Sequence, residues 1–145
     1  MRVLSVAQPW AMLLVLGAKR LETRAWQTSH RGPLAIHAAR NLSAAARALC
    51  RQEPFRSLLR AGGVADWSDL PLGAVVGAVE LTDCVRVEDL PPPEEPEASL
   101  GDFGPGRWVW RLRRPLRLPV PLPARGRLGL FDLDLSLTLS EEAVP

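Results

Sequence analysis

Of the eighteen cationic residues in the sequence seventeen are arginine, and the one lysine, Lys19, stands three positions before Glu22 and five before Arg24. Arginine supplies surface charge as well as lysine does, but it never gives up its proton and its planar fork does not fit where a compact ammonium is required. Lys19 is therefore read as a residue retained for its size or its acidity. A lysine that loses its proton serves as a general base. One that keeps it beside a developing negative charge stabilises an oxyanion, with Glu22 or Glu80 left to activate water. Glu22 and a preceding helix C-terminus both favour the charged form, which ranks ligand binding above lysine base catalysis. A purely structural salt-bridge cluster of Lys19, Glu22 and Arg24 is the plain alternative.

For these three side chains to meet, the chain must turn and then extend. Residues 3–7 read as a short strand, and Pro9 suits the first turn of a helix, where its missing N–H goes unneeded. Trp10, Leu13, Leu14 and Gly17 share one helical face, with Gly17 where a left-handed cap is expected. The run from Lys19 to Trp26 then reads as a strand, placing Arg20, Glu22, Arg24 and Trp26 on one face and Leu21, Thr23 and Ala25 on the other. Lys19 has the wrong parity for the Glu22 face, so the two converge only if Lys19 belongs to the turn after the helix. A turn at 29–33 leads into a strand at 34–38, with Leu34 and Ile36 inward and His37 directed to the cleft.

Asn41 and Ser43 stand at N-cap positions before an alanine-rich helix at 44–51, and 54–60 make a second helical piece closed by Gly62-Gly63. Residues 74–87 are nearly continuous in apolar side chains and read as a central strand, interrupted by Glu80, whose carboxylate must reach solvent or a cation. The Pro/Glu-rich stretch within 88–106 cannot pair in a sheet and is expected as a mobile loop. Arg107 to Arg113 alternates, with Trp108, Trp110 and Leu112 on one face and a basic opposite face. Prolines 115, 119, 121 and 123 are expected to keep the following chain off the middle of the sheet, and 128–139 to supply closing strands. The sum is one domain over 1–145, mainly β with accessory helices (α+β), arranged as a small β-barrel with two or three helices.

A composition of 47% apolar and 23% charged residues is that of a folded chain. The longest apolar stretch, 11–16, is far short of the roughly 20 residues a membrane helix needs, and Gln8, Pro9 and Trp10 interrupt any leader-like run, so a cytoplasmic protein with no membrane partner is expected. Cys50 and Cys84 lie 34 positions apart and His30 and His37 lack ligand spacing, so neither a metal nor another cofactor is expected. The net charge of +2 conceals a segregation of sign: +8 over 1–60, −9 over 61–106 and +3 over 107–145. A basic surface suits a polyanion, unless the blocks pair with one another.

Three stretches, Ser5-Val6-x-Gln8-Pro9-Trp10-Ala11, Gly17-x-Lys19-x-x-Glu22-x-Arg24-x-Trp26 and Arg31-Gly32-x-Leu34-x-Ile36-His37-Ala38-Ala39, together resemble the signature of ASCH domains, as does Gly129-Leu130-Phe131. The resemblance implies a fold similar to RNA-binding PUA domains, with a cleft between the first helix and the barrel. It implies a site that binds RNA, single-stranded nucleic acid or a modified nucleoside, formed by Gln8, Trp10, Lys19, Glu22, Arg24, Trp26, Arg31 and His37. Some members remove the acetyl group from acetylated cytidine with the motif lysine, a threonine and a glutamate, and others are proposed ribonucleases. Lys19 matches that lysine, Glu22 stands where the threonine is found, and Glu80 is the counterpart of the glutamate.

Overall fold

The computed structural model describes residues 1–141, so that residues 142–145 of the expected unit lie outside the described residues. Its strands are β1 (Arg2–Val6), β2 (Leu21–Arg24), β3 (Gly32–Ala38), β4 (Ala74–Arg86), β5 (Trp108–Pro123) and β6 (Leu130–Asp132). The α-helices are α1 (Trp10–Leu16), α2 (Ala44–Leu49), α3 (Phe55–Ala61) and α4 (Glu97–Leu100), with short 3₁₀ turns at Trp67–Asp69 and Val87–Asp89. The six strands form one sheet in the order β2-β5-β4-β3-β1-β6. All its pairs are antiparallel except β1 with β3.

The expected α+β class is correct and the barrel is not. β2 and β6 end the sheet on opposite sides and do not pair, so the sheet is open. One face is covered by α1, whose Ala11 to Val15 are all buried, together with Leu34, Ile36, Val79 and Trp110. The other face buries Val3, Ala35, Val75 and Phe131, and Leu133, Leu135 and Leu137 of the C-terminal segment pack over it. That segment covers a face that closing strands would have enclosed. Of the strands expected over 128–139, only β6 forms.

The prolines leave the chain extended and, beyond residue 111, off the middle of the sheet, but they do not stop it from pairing on one side. β5 runs through all four of them and ends on Pro123, opposite Ala74 of β4. β2 borders β5 only along 108–111, so the proline-bearing stretch has β4 on one side and an open edge on the other, where a missing N–H removes no ladder bond. The β4–β5 register shifts three times over this length, which lets the ladder continue past the mismatches.

Local signals place the remaining elements. Gly17 closes α1 with φ 77°, a left-handed conformation a side chain resists, and its N–H bonds to Leu14 O. Ser43 Oγ accepts the Ala46 N–H at 3.1 Å and caps α2. Glu80, as its surroundings demand, meets cations: Arg113 donates to it at 2.8 Å and Arg114 lies 3.8 Å away.

Candidate functional site

Turn and strand bring Lys19, Glu22 and Arg24 together as their spacing requires. The left-handed residue at Gly17 reverses the chain, the Lys19 N–H bonds back to Leu13 O at 3.1 Å, and the side chain enters the protein with 1% exposure. Its Nζ donates to Leu21 O and lies 3.9 Å from Glu22 Oε1. On β2, Glu22 and Arg24 are two positions apart and share a face, so Arg24 Nε and one terminal nitrogen reach Glu22 Oε2 at 3.2 and 3.0 Å. The same guanidinium donates to Ser5 O at 3.1 Å and ties β2 to β1.

These groups form the floor of a cavity of about 420 Å³. Trp10 and Phe55, edge to face with centroids 6.0 Å apart, make an aromatic wall with Leu49. Ser99 to Asp102 form the roof. The roof is fastened by Trp10 Nε1, which donates to Leu100 O at 2.8 Å, and by the Arg20 N–H, which donates to Glu97 Oε1. Gly101 lies against Lys19: a Cβ there would come within 3.3 Å of Nζ. Arg107 enters from the start of β5, donates to Thr23 O at 3.1 Å and lies 3.5 Å from Asp102.

Burial moves the Lys19 ammonium below the ordinary lysine pKa, and Arg24 pushes the same way, against Glu22 and Glu97, which favour the charged form. Read from the sequence, Glu22 and the helix C-terminus favour the charged form; in the structure, removal from water outweighs Glu22 in setting the direction of the shift. Hydrogen bonding to Arg113 holds the Glu80 carboxyl below its usual range.

Trp10, Lys19, Glu22 and Arg24 line this cavity, and the other residues expected at the site stand elsewhere. Gln8 is fully buried, donating to Pro71 O and accepting the Met12 N–H, so it braces the start of α1. Trp26 packs edge to face on Trp110, 4.9 Å between centroids. Arg31 holds its own turn through Thr28 O and His30 O and lies 3.8 Å from Asp83. His37 is on the opposite face of the sheet, bonded to Ser5 Oγ and Ala124 O. Glu80 is engaged with Arg113 on β5.

Thr23, Asp102 and Arg107 were not read from the sequence as parts of the site, and the α4 roof lies within the 88–106 stretch expected as a mobile loop, for which the sequence leaves a role as a lid open. The signal available for the roof was Leu100 and Phe103 at the end of an otherwise polar, proline-rich stretch, since an isolated apolar residue there marks an anchor point.

The family model described as ASCH domain matches residues 4–101. Activating signal cointegrator 1 of Homo sapiens is 36% identical over 131 residues, covering 90% of this chain and 22% of that protein, and the Mus musculus protein is 34% identical over the same span. The chain thus spans less than a quarter of the length of these curated relatives. Among solved structures, ASCH from Zymomonas mobilis aligns with TM-score 0.55 at 16% identity, covering 91% of this chain and 86% of that one. A point mutant of the same protein aligns with TM-score 0.54 over 91% and 87%.

Proposed function

The chain belongs to the ASCH domain family, and from that premise we propose that its Lys19 cavity binds one nucleotide unit of RNA or another single-stranded nucleic acid, or a modified nucleoside. The observation that carries this reading is the division of the cavity into an aromatic wall of Trp10 and Phe55 and a charged floor of Lys19, Glu22, Arg24 and Arg107. A base offers a flat face to such a wall and a donor and acceptor edge to such a floor, and its phosphate calls for cations. Glu22, already oriented by Arg24 and by the Thr23 N–H at 3.3 Å, supplies acceptor capacity for an amino group.

Trp10 provides the test. Titrating the protein with uridine monophosphate, cytidine monophosphate and short single-stranded RNA is expected to quench tryptophan fluorescence. A Trp10→Phe protein keeps the aromatic wall but loses the bond to Leu100 O, so it should bind more weakly and, at saturating ligand, lose a large share of the quench. An undiminished quench in Trp10→Phe places the ligand elsewhere.

A second reading is amide hydrolysis on an acylated cytidine-type nucleoside, favoured by one observation, the buried Lys19 with its lowered pKa. The neutral amine would take a proton from water, the resulting hydroxide would add to the acyl carbon, and the C–N bond would break as the proton passes to the departing amino nitrogen. Carboxylic acid and free cytidine would be the products. Incubation with acetylated cytidine and chromatography of cytidine decides this reading, and unchanged substrate over long incubation leaves a binding site.

A further inference from the structure

A second concave region lies beyond the end of β1. A cavity of about 660 Å³ is lined by Ser5, His37, Arg40, Leu72 and Arg125, and a neighbouring one of about 400 Å³ by Arg40, Leu72, Arg47 and Trp67. Arg40 and Leu72 border both, so the two cavities are adjacent and are taken together as one groove. All three arginines are exposed, and among the described residues none of them makes an ion pair. The Arg47 guanidinium lies 5.0 Å above the Trp67 ring and donates to Leu42 O, contacts that orient it without neutralising it. The carboxylates flanking Trp67, Asp66 and Asp69, are engaged in the capping box of their own turn, with Arg51 3.9 Å from Asp66.

The groove is also held in shape. Ala124 O can only accept, so His37 Nε2 carries the proton, and in the neutral ring Nδ1 accepts from the Ser5 hydroxyl at 2.9 Å. Buried His37 and half-buried Ser5 thereby fix the chain at Ala124 against β1 and β3 and so position Arg125, the next residue. The groove adjoins the Lys19 cavity through β1: Ser5 lines the groove, its carbonyl accepts from Arg24, and Val6 and Ala7 line the cavity.

Three unneutralised arginines beside a half-buried tryptophan and a 40% exposed Leu72 match the needs of a sugar-phosphate chain with unstacked bases. We propose that this groove is a second binding site, in which Arg40, Arg47 and Arg125 hold backbone phosphates of a single-stranded nucleic acid whose base enters the Lys19 cavity. The proposal rests on the nucleic-acid reading of that cavity.

The test is fluorescence anisotropy of a labelled single-stranded uridine decamer across a salt series, with wild type, Arg40→Ala/Arg125→Ala and Arg40→Lys/Arg125→Lys. Each single-strand phosphate contact contributes a slope of roughly −0.7 in log affinity against log salt, so the alanine pair should flatten the slope by about 1.4 and weaken binding about tenfold or more at low salt. The lysine pair should keep most of the slope. Uridine monophosphate should quench Trp10 equally in all three proteins, which also shows that the variants fold. RNA binding by wild type with the same slope and affinity in the alanine pair overturns the groove and leaves the Lys19 cavity standing. Quenching by the monophosphate with no RNA binding to wild type overturns the groove and leaves a nucleoside site. Absence of both sinks the two readings together.

Discussion

Lys19 is almost wholly withdrawn from bulk solvent at the floor of the cavity, and the Glu22 and Glu97 carboxylates only partly offset that loss of hydration. Its pKa is therefore lower folded than unfolded, and between those two values the unfolded chain binds more protons, so stability rises with pH. The penalty is complete below the folded pKa and fades as pH approaches the unfolded value. Lys19→Met keeps the length without the charge and leaves Glu22 paired with Arg24. It is expected to raise the thermal unfolding midpoint at neutral pH, to flatten the rise toward alkaline pH, and to abolish ligand binding; calorimetry over a pH series with a parallel binding titration checks this. Lys19→Arg should impair binding nearly as much as Lys19→Ala, because the larger guanidinium meets Gly101 in a space already filled by the ammonium. A Lys19→Arg protein with wild-type affinity would reduce Lys19 to an ordinary cation. If the protein hydrolyses acylated cytidine with neutral Lys19 as base, the rate should climb with pH to a plateau above the lowered pKa, whereas a protonated Lys19 serving the oxyanion predicts a fall over the same range.

At the level of elements, the site depends on how closely α1 lies on the sheet, since α1 carries Trp10 and ends in the turn that delivers Lys19. That closeness is set at Gly77 of β4, where a Cβ would stand 1.9 Å from Leu116 O and 2.9 Å from Val15 Cβ. The first obstacle is backbone and cannot rotate away. Gly77→Ala is expected to cost about 3 kcal/mol or more, measured by urea unfolding, with an unchanged m-value if only the native state is affected. A loss under about 0.5 kcal/mol would mean that β5 yields readily at its register shifts and that α1 is not held as closely as described. β5 also explains where element-level reading of the sequence stopped. Its four prolines are breakers in any central strand, and only the one-sided pairing of residues beyond 111 makes them tolerable. That is a property of the neighbours, which composition does not carry. The roof behaves alike: α4 has four residues and would not persist alone, but burial of Leu100 and the bond from Trp10 hold it.

Across the whole molecule the segregated charges are partly joined, through Arg31 with Asp83, Arg51 with Asp66, and the backbone of Arg20 with Glu97. Arg40, Arg47 and Arg125 are left facing solvent along one groove. RNA affinity should therefore depend on salt although the net charge is only +2: two to four phosphate contacts would lower it about 7- to 50-fold for a fourfold rise in salt, while free nucleoside binding stays nearly indifferent. Equal salt dependence for nucleoside and RNA would assign the effect to the cavity alone. The sequence by itself determined the features that neighbouring residues enforce: the Gly17 turn, the place of Lys19 in that turn, the shared face of Glu22 and Arg24, the Ser43 cap and the central β4. These follow from steric limits and periodicity within a few residues. Only the tertiary structure decided that the sheet stays open, that Asp102 and Arg107 join Lys19, that Gln8 and His37 serve as buried braces, and that burial outweighs Glu22 in setting the lysine's acidity. Each of those depends on which distant residues exclude water from a given atom, and that exclusion exists only once the layers have packed.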